Sequence, residues 1–183
     1  MRPQLGREKI LDAALHLFAQ NGYHKTSISD IASNAEVAKG LIYNYFKSKE
    51  ELLLEIISNA SLRIMNIANG MFNQKTYQAN LSVFLDGFFD NLTANKQYFT
   101  FQIGLMFQPD LKPLVSPLLQ QRADILLNLT KQMFESSSVK SPELTARRFI
   151  SEVDGITLHY LSIYKDYPIF AIKEELYKNY KDL

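Results

Sequence analysis

The segment Lys39–Tyr45 combines an ammonium, an amide and two phenol hydroxyls within seven residues, and all of these groups can contact a DNA duplex. Lysine and asparagine can bond to base edges in the major groove, and tyrosine hydroxyls suit phosphate oxygens. If the segment is helical, its two sides differ in chemistry. The outer side is expected to carry Lys39, Gly40, Tyr43 and Asn44, the inner side Ala38, Ile42 and Phe46, and the flanks Leu41 and Tyr45. The glycine would let the helix approach the duplex closely, and Leu41 could press on a thymine methyl group.

Two expected helix starts beside this segment offer sites for phosphate, because the free N–H groups of a helix N-terminus favour an anion. The following helix begins with Lys47, Ser48 and Lys49, and the preceding one with Lys25, Thr26 and Ser27. The residue types therefore indicate a nucleic-acid interface. The pattern alone leaves a second interpretation open, in which Tyr43 and Tyr45 are half-buried packing residues and the lysines are simply solvated.

Helical periodicity runs through the whole chain, and no stretch shows the alternation of a strand. Helix stops such as Asn21-Gly22 and capping pairs such as Ser27–Asp30 and Ser48–Glu51 set the expected bounds. Helices are expected at about residues 7–20, 28–35, 38–46, 48–69, 77–93, 96–108, 118–135, 142–165 and 168–181, with a break at Gly70 and residues 73–76 and an irregular turn at residues 109–117. We therefore predict an all-α fold whose second and third helices form a helix-turn-helix.

Composition limits the function classes. The chain has 183 residues, no cysteine and a formal net charge of +1, so disulfides, thiolate zinc sites and cysteine catalysis are excluded. His16, His24 and His159 show no metal-ligand spacing, and no catalytic motif is present, so we expect neither an enzyme nor a bound metal or cofactor. No apolar run reaches the roughly 18 residues of a membrane span, and the N-terminus lacks an apolar signal segment. We expect a cytoplasmic protein without a membrane partner.

The sequence REKILDAALHLFAQNGYHKTSISDIASNAEVAKGLIYNYFKSKEELLLEII, residues 7–57, resembles the DNA-binding domain of TetR-family transcriptional regulators. The resemblance implies a homodimeric repressor that binds a palindromic double-stranded DNA operator and is released by a small-molecule effector. It implies phosphate contacts from Thr26, Tyr43 and Lys49, and groove or backbone contacts from Lys39, Gly40, Leu41 and Tyr45, while the position of Asn44 varies in role across the family. Residues 1–49 are then expected to form the DNA-binding domain, and residues 50–183 the effector-binding and dimerisation domain.

The turn before the reading helix departs from the family pattern. The family usually places glycine where this chain has Glu36, and a non-glycine residue in a left-handed conformation costs about 1 kcal/mol. Either Glu36 bears that strain, or Asn34 or a neighbour takes the turn differently.

The helical body is expected to hold the effector, and its aromatic residues favour a lipophilic or aromatic compound. The candidate effector-binding residues are Phe84, Phe88, Phe101, Gln102, Met106, Phe134, His159 and Tyr160. Plain core packing is the other interpretation of the same rings. In the implied mechanism, effector binding moves the helix at residues 48–69 and changes the spacing of the two reading helices.

The last two long helices are expected, by the same resemblance, to form a four-helix dimer interface. Its candidate residues are Phe149, Val153, Gly155, Ile156, Ile172 and Leu176. These apolar stripes could equally belong to the core of a single chain. The alternative function is an all-helical module that binds a lipid or another small molecule and does not bind DNA.

Overall fold

The computed structural model describes residues 3–71 and 76–183, and this part of the chain is helical throughout, without a strand. The helices are α1 (Pro3–Asn21), α2 (Ile28–Asn34), α3 (Lys39–Tyr45), α4 (Lys49–Met71), α5 (Tyr77–Ala94), α6 (Lys96–Met106), α7 (Lys112–Glu135), α8 (Pro142–Leu158) and α9 (Ile169–Tyr180). A π-helical turn, His159–Ile163, extends α8 and is closed by a 3.1 Å hydrogen bond from the Tyr164 amide to the His159 carbonyl. None of these described helices is long and apolar enough to cross a membrane. The predicted all-α fold is confirmed.

The start of α7 differs from the sequence expectation. The helix begins at Lys112, so the predicted irregular turn at residues 109–117 is wrong for its second half. Pro113 lies in the first turn, where a helix needs no N–H donor, and Pro117 forgoes only one hydrogen bond. Helix α4 continues past Gly70 to Met71. Apart from Thr76, the rest of the predicted break at residues 73–76 lies outside the described residues.

By its contacts, the chain forms two compact units that do not follow sequence order. Unit 1 comprises the described part of residues 1–60 together with Gln97–Leu118, and unit 2 comprises Ser61–Lys96 with Leu119–Leu183. Residues 50–60 and nearly all of α6 therefore pack with the three N-terminal helices. The boundary at residue 49 between a DNA-binding domain and an effector-binding domain stays a prediction.

The core of unit 1 is built from one apolar face of each helix. Its fully buried side chains include Ile10, Ala14, Phe18, Ile31, Ile42, Phe46, Leu52, Leu53 and Ile57. Helix α1 contacts both α2 and α3. Helix α6 enters the same core through Phe101, whose ring stacks on Phe18 with centroids 5.8 Å apart. A helix that is distant in sequence thus supports the short helices of the N-terminus.

The core of unit 2 is an aromatic cluster. The Phe134 ring lies 5.6 to 5.9 Å from the rings of Tyr77, Phe149 and Tyr180, and Phe84 joins through Phe149 at 5.5 Å. The Tyr77 hydroxyl donates to the Tyr180 carbonyl at 2.8 Å, and burial raises the pKa of that hydroxyl far above its ordinary value. The cluster therefore joins α5, α7, α8 and α9 with neutral groups.

Candidate nucleic-acid interface

Helix α2 begins with a closed capping box. The Ser27 hydroxyl accepts the Asp30 amide at 3.1 Å, and the Asp30 carboxylate accepts the Ser27 amide at 2.8 Å and the Ser27 hydroxyl at 2.7 Å. These bonds hold the pKa of Asp30 below its usual range, the hydroxyl bond having the largest effect. The start of α2 thus already holds a negative charge of its own.

The turn between α2 and α3 is made by Glu36, which has φ = 55°. Of the two alternatives posed by the sequence, the first is correct: Glu36 itself occupies the left-handed region and bears the strain. Its side chain is exposed, which spares the carboxylate a desolvation cost. The chain therefore makes the tight turn without the glycine that would make it easily.

Helix α3 presents a polar face to solvent. Ile42 and Phe46 are buried beneath it, while Lys39, Gly40, Tyr43 and Asn44 are exposed and Leu41 and Tyr45 are half-buried. The projected orientation is wrong only for Ala38, which is exposed because it is the extended N-cap residue and lies outside the helix. The exposed groups on this face are the ones that could contact a duplex.

Three residues of that face are free to meet a ligand. The Lys39 ammonium has no partner among the described residues, and the Tyr43 side chain is 52% exposed. A Cβ built on Gly40 would meet no atom within 4 Å. Gly40 is therefore not needed for packing inside the free protein.

Beneath this face, Arg7 supports the end of α3. Its guanidinium lies 5.2 Å from the centre of the Phe46 ring and pairs with the Glu55 carboxylate at 2.7 Å.

Thr26 does not present a free hydroxyl to a phosphate. Its side chain is 1% exposed, and the hydroxyl donates to the carbonyls of Leu17 and Gly22 at 3.2 and 2.9 Å. Its amide donates to the Tyr23 carbonyl at 3.3 Å. In the free chain Thr26 is thus used to close the loop between α1 and α2, and its phosphate contact stays a prediction.

Lys49 is also engaged within the chain. Its ammonium donates to the Tyr23 carbonyl at 2.9 Å and to the Thr26 carbonyl at 3.0 Å, and it lies 4.3 Å from the centre of the Tyr23 ring. Burial, with a smaller effect from Glu50, raises the pKa of Tyr23 far above its ordinary value, so the ring stays neutral. These contacts occupy two of its three N–H groups, and the phosphate role of Lys49 stays a prediction.

The start of α4 resembles the start of α2. The Ser48 hydroxyl accepts the Glu51 amide at 3.2 Å, and the Glu51 carboxylate accepts the Lys47 amide. The side chains of Lys25 and Lys47 are exposed, and neither ammonium has a partner among the described residues. The two helix starts therefore lie beside free lysines, but each is capped by an internal carboxylate.

The eight candidate effector residues do not form one set. Phe101, Gln102 and Met106 belong to unit 1, and the other five belong to unit 2. Phe84, Phe101 and Phe134 are buried against other rings, which supports the core interpretation for them, whereas Met106 and His159 are exposed. Tyr160 is half-buried beneath the Lys96 ammonium at 4.4 Å, and Phe88 packs on Phe84 and Phe89. Two surface hollows, of about 440 and 520 Å³, contain none of the eight.

The candidate dimer residues divide by exposure. Phe149, Val153, Ile156 and Leu176 are buried inside the single chain, so the core interpretation holds for these four. Gly155 is exposed and Ile172 is half-buried. The sequence reasoning missed two apolar residues that are exposed nearby, Leu158 and Phe170. Spacing from Gly155 along α8 could have found Leu158, since residues three apart share a helix face.

No group of metal-ligating side chains occurs in the described parts of the chain.

The N-terminal helices match a family of known proteins. Residues 10–56 match the family described as bacterial regulatory proteins, tetR family. An uncharacterised helix-turn-helix transcriptional regulator of Bacillus subtilis is 35% identical over 99 residues, which cover 51% of this chain and 33% of that protein. The match thus spans about a third of that relative's length. A second uncharacterised regulator, from Lactococcus lactis, is 29% identical and matches across 94% of this chain and 91% of its own length.

Solved structures agree on the fold. The transcriptional regulator FadR from Bacillus subtilis, solved in complex with stearoyl-CoA, superposes with a TM-score of 0.77 at 22% identity. The alignment covers 94% of this chain and 96% of that one, and at this identity it shows the fold alone. The helix-turn-helix with its exposed polar α3 is consistent with the matches to two helix-turn-helix regulators. Residues 10–56 of this chain therefore form a helix-turn-helix domain that matches the tetR family of bacterial regulatory proteins.

Proposed function

We propose that this protein is a transcriptional regulator, a cytoplasmic repressor that binds a palindromic double-stranded DNA operator through α3. The exposed face of α3 carries the proposal, because Lys39, Tyr43 and Asn44 project from a helix held down by Ile42 and Phe46. Asn44 would read base edges, and Lys39 and Tyr43 would contact phosphates. Gly40, Leu41 and Tyr45 would contact the groove or the backbone, with Lys25 and Ser27 at the edge.

Fluorescence anisotropy with DNA from upstream of the protein's own gene tests this binding. Lys39→Met should weaken binding and lower the slope of log K against log salt by about 0.9, since one phosphate contact loses its positive charge. Tyr43→Phe should weaken binding several-fold through the loss of one hydrogen bond. Lys165→Met is the matched control, because Lys165 is exposed and has no partner in the described chain. Wild-type protein that shows no preference for any operator would support the alternative, a helical small-molecule-binding module without DNA binding.

The effector we propose is lipophilic, with long-chain acyl compounds as the first class to test. Two observations support this: the body is rich in aromatic residues, and the similarly folded FadR was solved with stearoyl-CoA. A thermal-shift series should therefore show stabilisation by an acyl-CoA and not by free CoA, which lacks the acyl chain. The same acyl-CoA should release the operator in the anisotropy assay, because two ligands that favour different conformations oppose each other reciprocally. Stabilisation by polar anions alone would contradict a lipophilic effector.

The protein is proposed to act as a homodimer, which would match the two-fold symmetry of a palindromic operator. Support comes from the apolar groups exposed at the end of α8 and the start of α9. Leu158 is 39% exposed and Phe170 is 58% exposed. A Cβ on the exposed Gly155, one turn from Leu158, would meet nothing within 4 Å, so a partner helix could approach closely there. These residues replace the buried Phe149, Val153 and Leu176 as the proposed contacts.

A further inference from the structure

The loop between α1 and α2 is closed by hydrogen bonds from two sides. From within, Thr26 donates its hydroxyl to the carbonyls of Leu17 and Gly22. From α4, the Lys49 ammonium donates to the carbonyls of Tyr23 and Thr26. Both lysine bonds span more than 20 residues, so they are tertiary contacts that fix the loop on the first turn of α4. Helix α2 starts at Ile28, two residues after the loop, and therefore takes its position from it.

The Lys49 ammonium is held by more than these two bonds. It lies over the ring of Tyr23, which is buried and neutral and also contacts Phe18 with ring centroids 5.1 Å apart. A cation above an aromatic face gains further attraction, which grows when water is partly excluded. An ammonium with two carbonyl acceptors and an aromatic face is already well solvated by the protein. While both carbonyl bonds are kept, only the third N–H group is left for any other acceptor.

We propose that Lys49 is a positioning residue, which clamps the Tyr23–Thr26 loop to α4 and thereby sets the pose of α2 and α3 for DNA binding. It acts on the operator through the recognition helix and not by contacting a phosphate itself. The functional consequence rests on the proposed DNA binding, whereas the clamp can be tested without DNA. Lys39 on α3 is the matched control, because its ammonium is exposed and has no partner in the described chain.

The DNA-free test measures amide hydrogen exchange by NMR in wild type, Lys49→Met and Lys39→Met. Lys49→Met keeps most of the apolar stem and removes the three donors. The Thr26 amide, which donates to the Tyr23 carbonyl at 3.3 Å, should exchange at least several-fold faster in Lys49→Met and unchanged in Lys39→Met. Unchanged exchange in Lys49→Met overturns the clamp, whether or not any operator has been found. Protein that binds no operator at all would instead count against the proposed function and would leave this result standing.

The DNA-bound test measures how affinity varies with salt. A residue that contacts phosphate lowers the slope by about 0.9 when its charge is removed, and a positioning residue lowers affinity without changing the slope. Lys49→Met should therefore bind at least about 10-fold more weakly with the wild-type slope, while Lys39→Met should show the reduced slope. A reduced slope or wild-type affinity in Lys49→Met overturns the proposal.

A second variant keeps the proposal testable where Lys49→Met does not fold. Lys49→Gln retains amide N–H donors and removes the charge. If Lys49 clamps the loop, the Lys49→Gln variant should keep part of the slow amide exchange at Thr26 and the full salt slope. A slope about 0.9 lower for this variant, with exchange at Thr26 unaffected, would assign Lys49 to a phosphate instead.

Discussion

The hydroxyl of Ser27 and the carboxylate of Asp30 lie 2.7 Å apart and cap α2 reciprocally. Because the carboxylate accepts from both the hydroxyl and the amide of Ser27, the pKa of Asp30 lies below its usual range. A group with a lowered pKa stabilises the folded chain above its unfolded pKa, about 3.9 for aspartate. That stabilisation is lost as the pH falls through the lowered value, so the cap is complete at neutral pH.

Ser27→Ala tests this cap. The variant removes the hydroxyl donor and keeps the amide donor, so the pKa of Asp30 should rise toward its ordinary value. An NMR titration of the Asp30 carboxyl carbon measures the change directly. An unchanged Asp30 titration would show that the hydroxyl bond does not hold the carboxylate.

Replacing Glu36 should release the strain in the turn. At φ = 55°, Glu36→Gly should raise the free energy of unfolding by up to about 1 kcal/mol, because glycine has no Cβ to clash in the left-handed region. Glu36→Gln keeps the strain and removes the charge, so its stability should stay close to wild type. Urea unfolding monitored by circular dichroism compares the three proteins. Equal stability of the glycine and glutamine variants would mean that the turn is not strained.

Gly40→Ala should separate stability from DNA binding. The added methyl group meets nothing in the free protein and improves helix propensity, so stability should rise by up to about 1 kcal/mol. If Gly40 lies against the duplex, operator affinity should nevertheless fall at least 10-fold in the anisotropy assay.

Gly104→Ala is the control for that substitution. Gly104 is a helical, exposed glycine whose added Cβ would also meet nothing within 4 Å. It should gain similar stability without any change in operator affinity. Full operator binding by Gly40→Ala would remove Gly40 from the proposed interface.

Charged substitutions should test the dimer surface. Leu158→Glu with Phe170→Glu places two carboxylates where the proposed partner packs, so sedimentation equilibrium should show a monomer while circular dichroism stays unchanged. Leu62→Glu is the control, because Leu62 is an exposed leucine on α4, and this variant should remain dimeric. A double variant that still sediments as a dimer would place the interface elsewhere.

Local sequence patterns predicted the fold of this chain well. Helical periodicity gave the all-α class, and Ser27–Asp30 and Ser48–Glu51 marked the starts of α2 and α4 because capping involves residues three apart. The prolines of α7 misled the prediction, since Pro113 is harmless in a first turn. Glu36 was recognised as a problem from its residue type alone, and the backbone confirms it.

Roles that depend on distant residues could not be read in this way. Thr26 looks like a phosphate ligand in the sequence, yet its hydroxyl reaches back nine residues to Leu17. Lys49 bonds to carbonyls 23 and 26 residues away, which no local pattern encodes. The rings of Phe84 and Phe134 show the same limit, because an aromatic residue type fits both a core and a ligand pocket.

Unit 1 is formed by two separate segments of the sequence, which matters when a domain is exchanged between related proteins. An exchange of the N-terminal segment alone would cut the chain near residue 60, where the first part of unit 1 ends. Here a cassette cut after residue 60 would carry Phe18 without the Phe101 ring that covers it. A transplant would have to bring Gln97–Leu118 along, or find a substitute for Phe101 in the recipient. The unit that contains the helix-turn-helix is therefore compact in space but formed by two separate segments of the sequence.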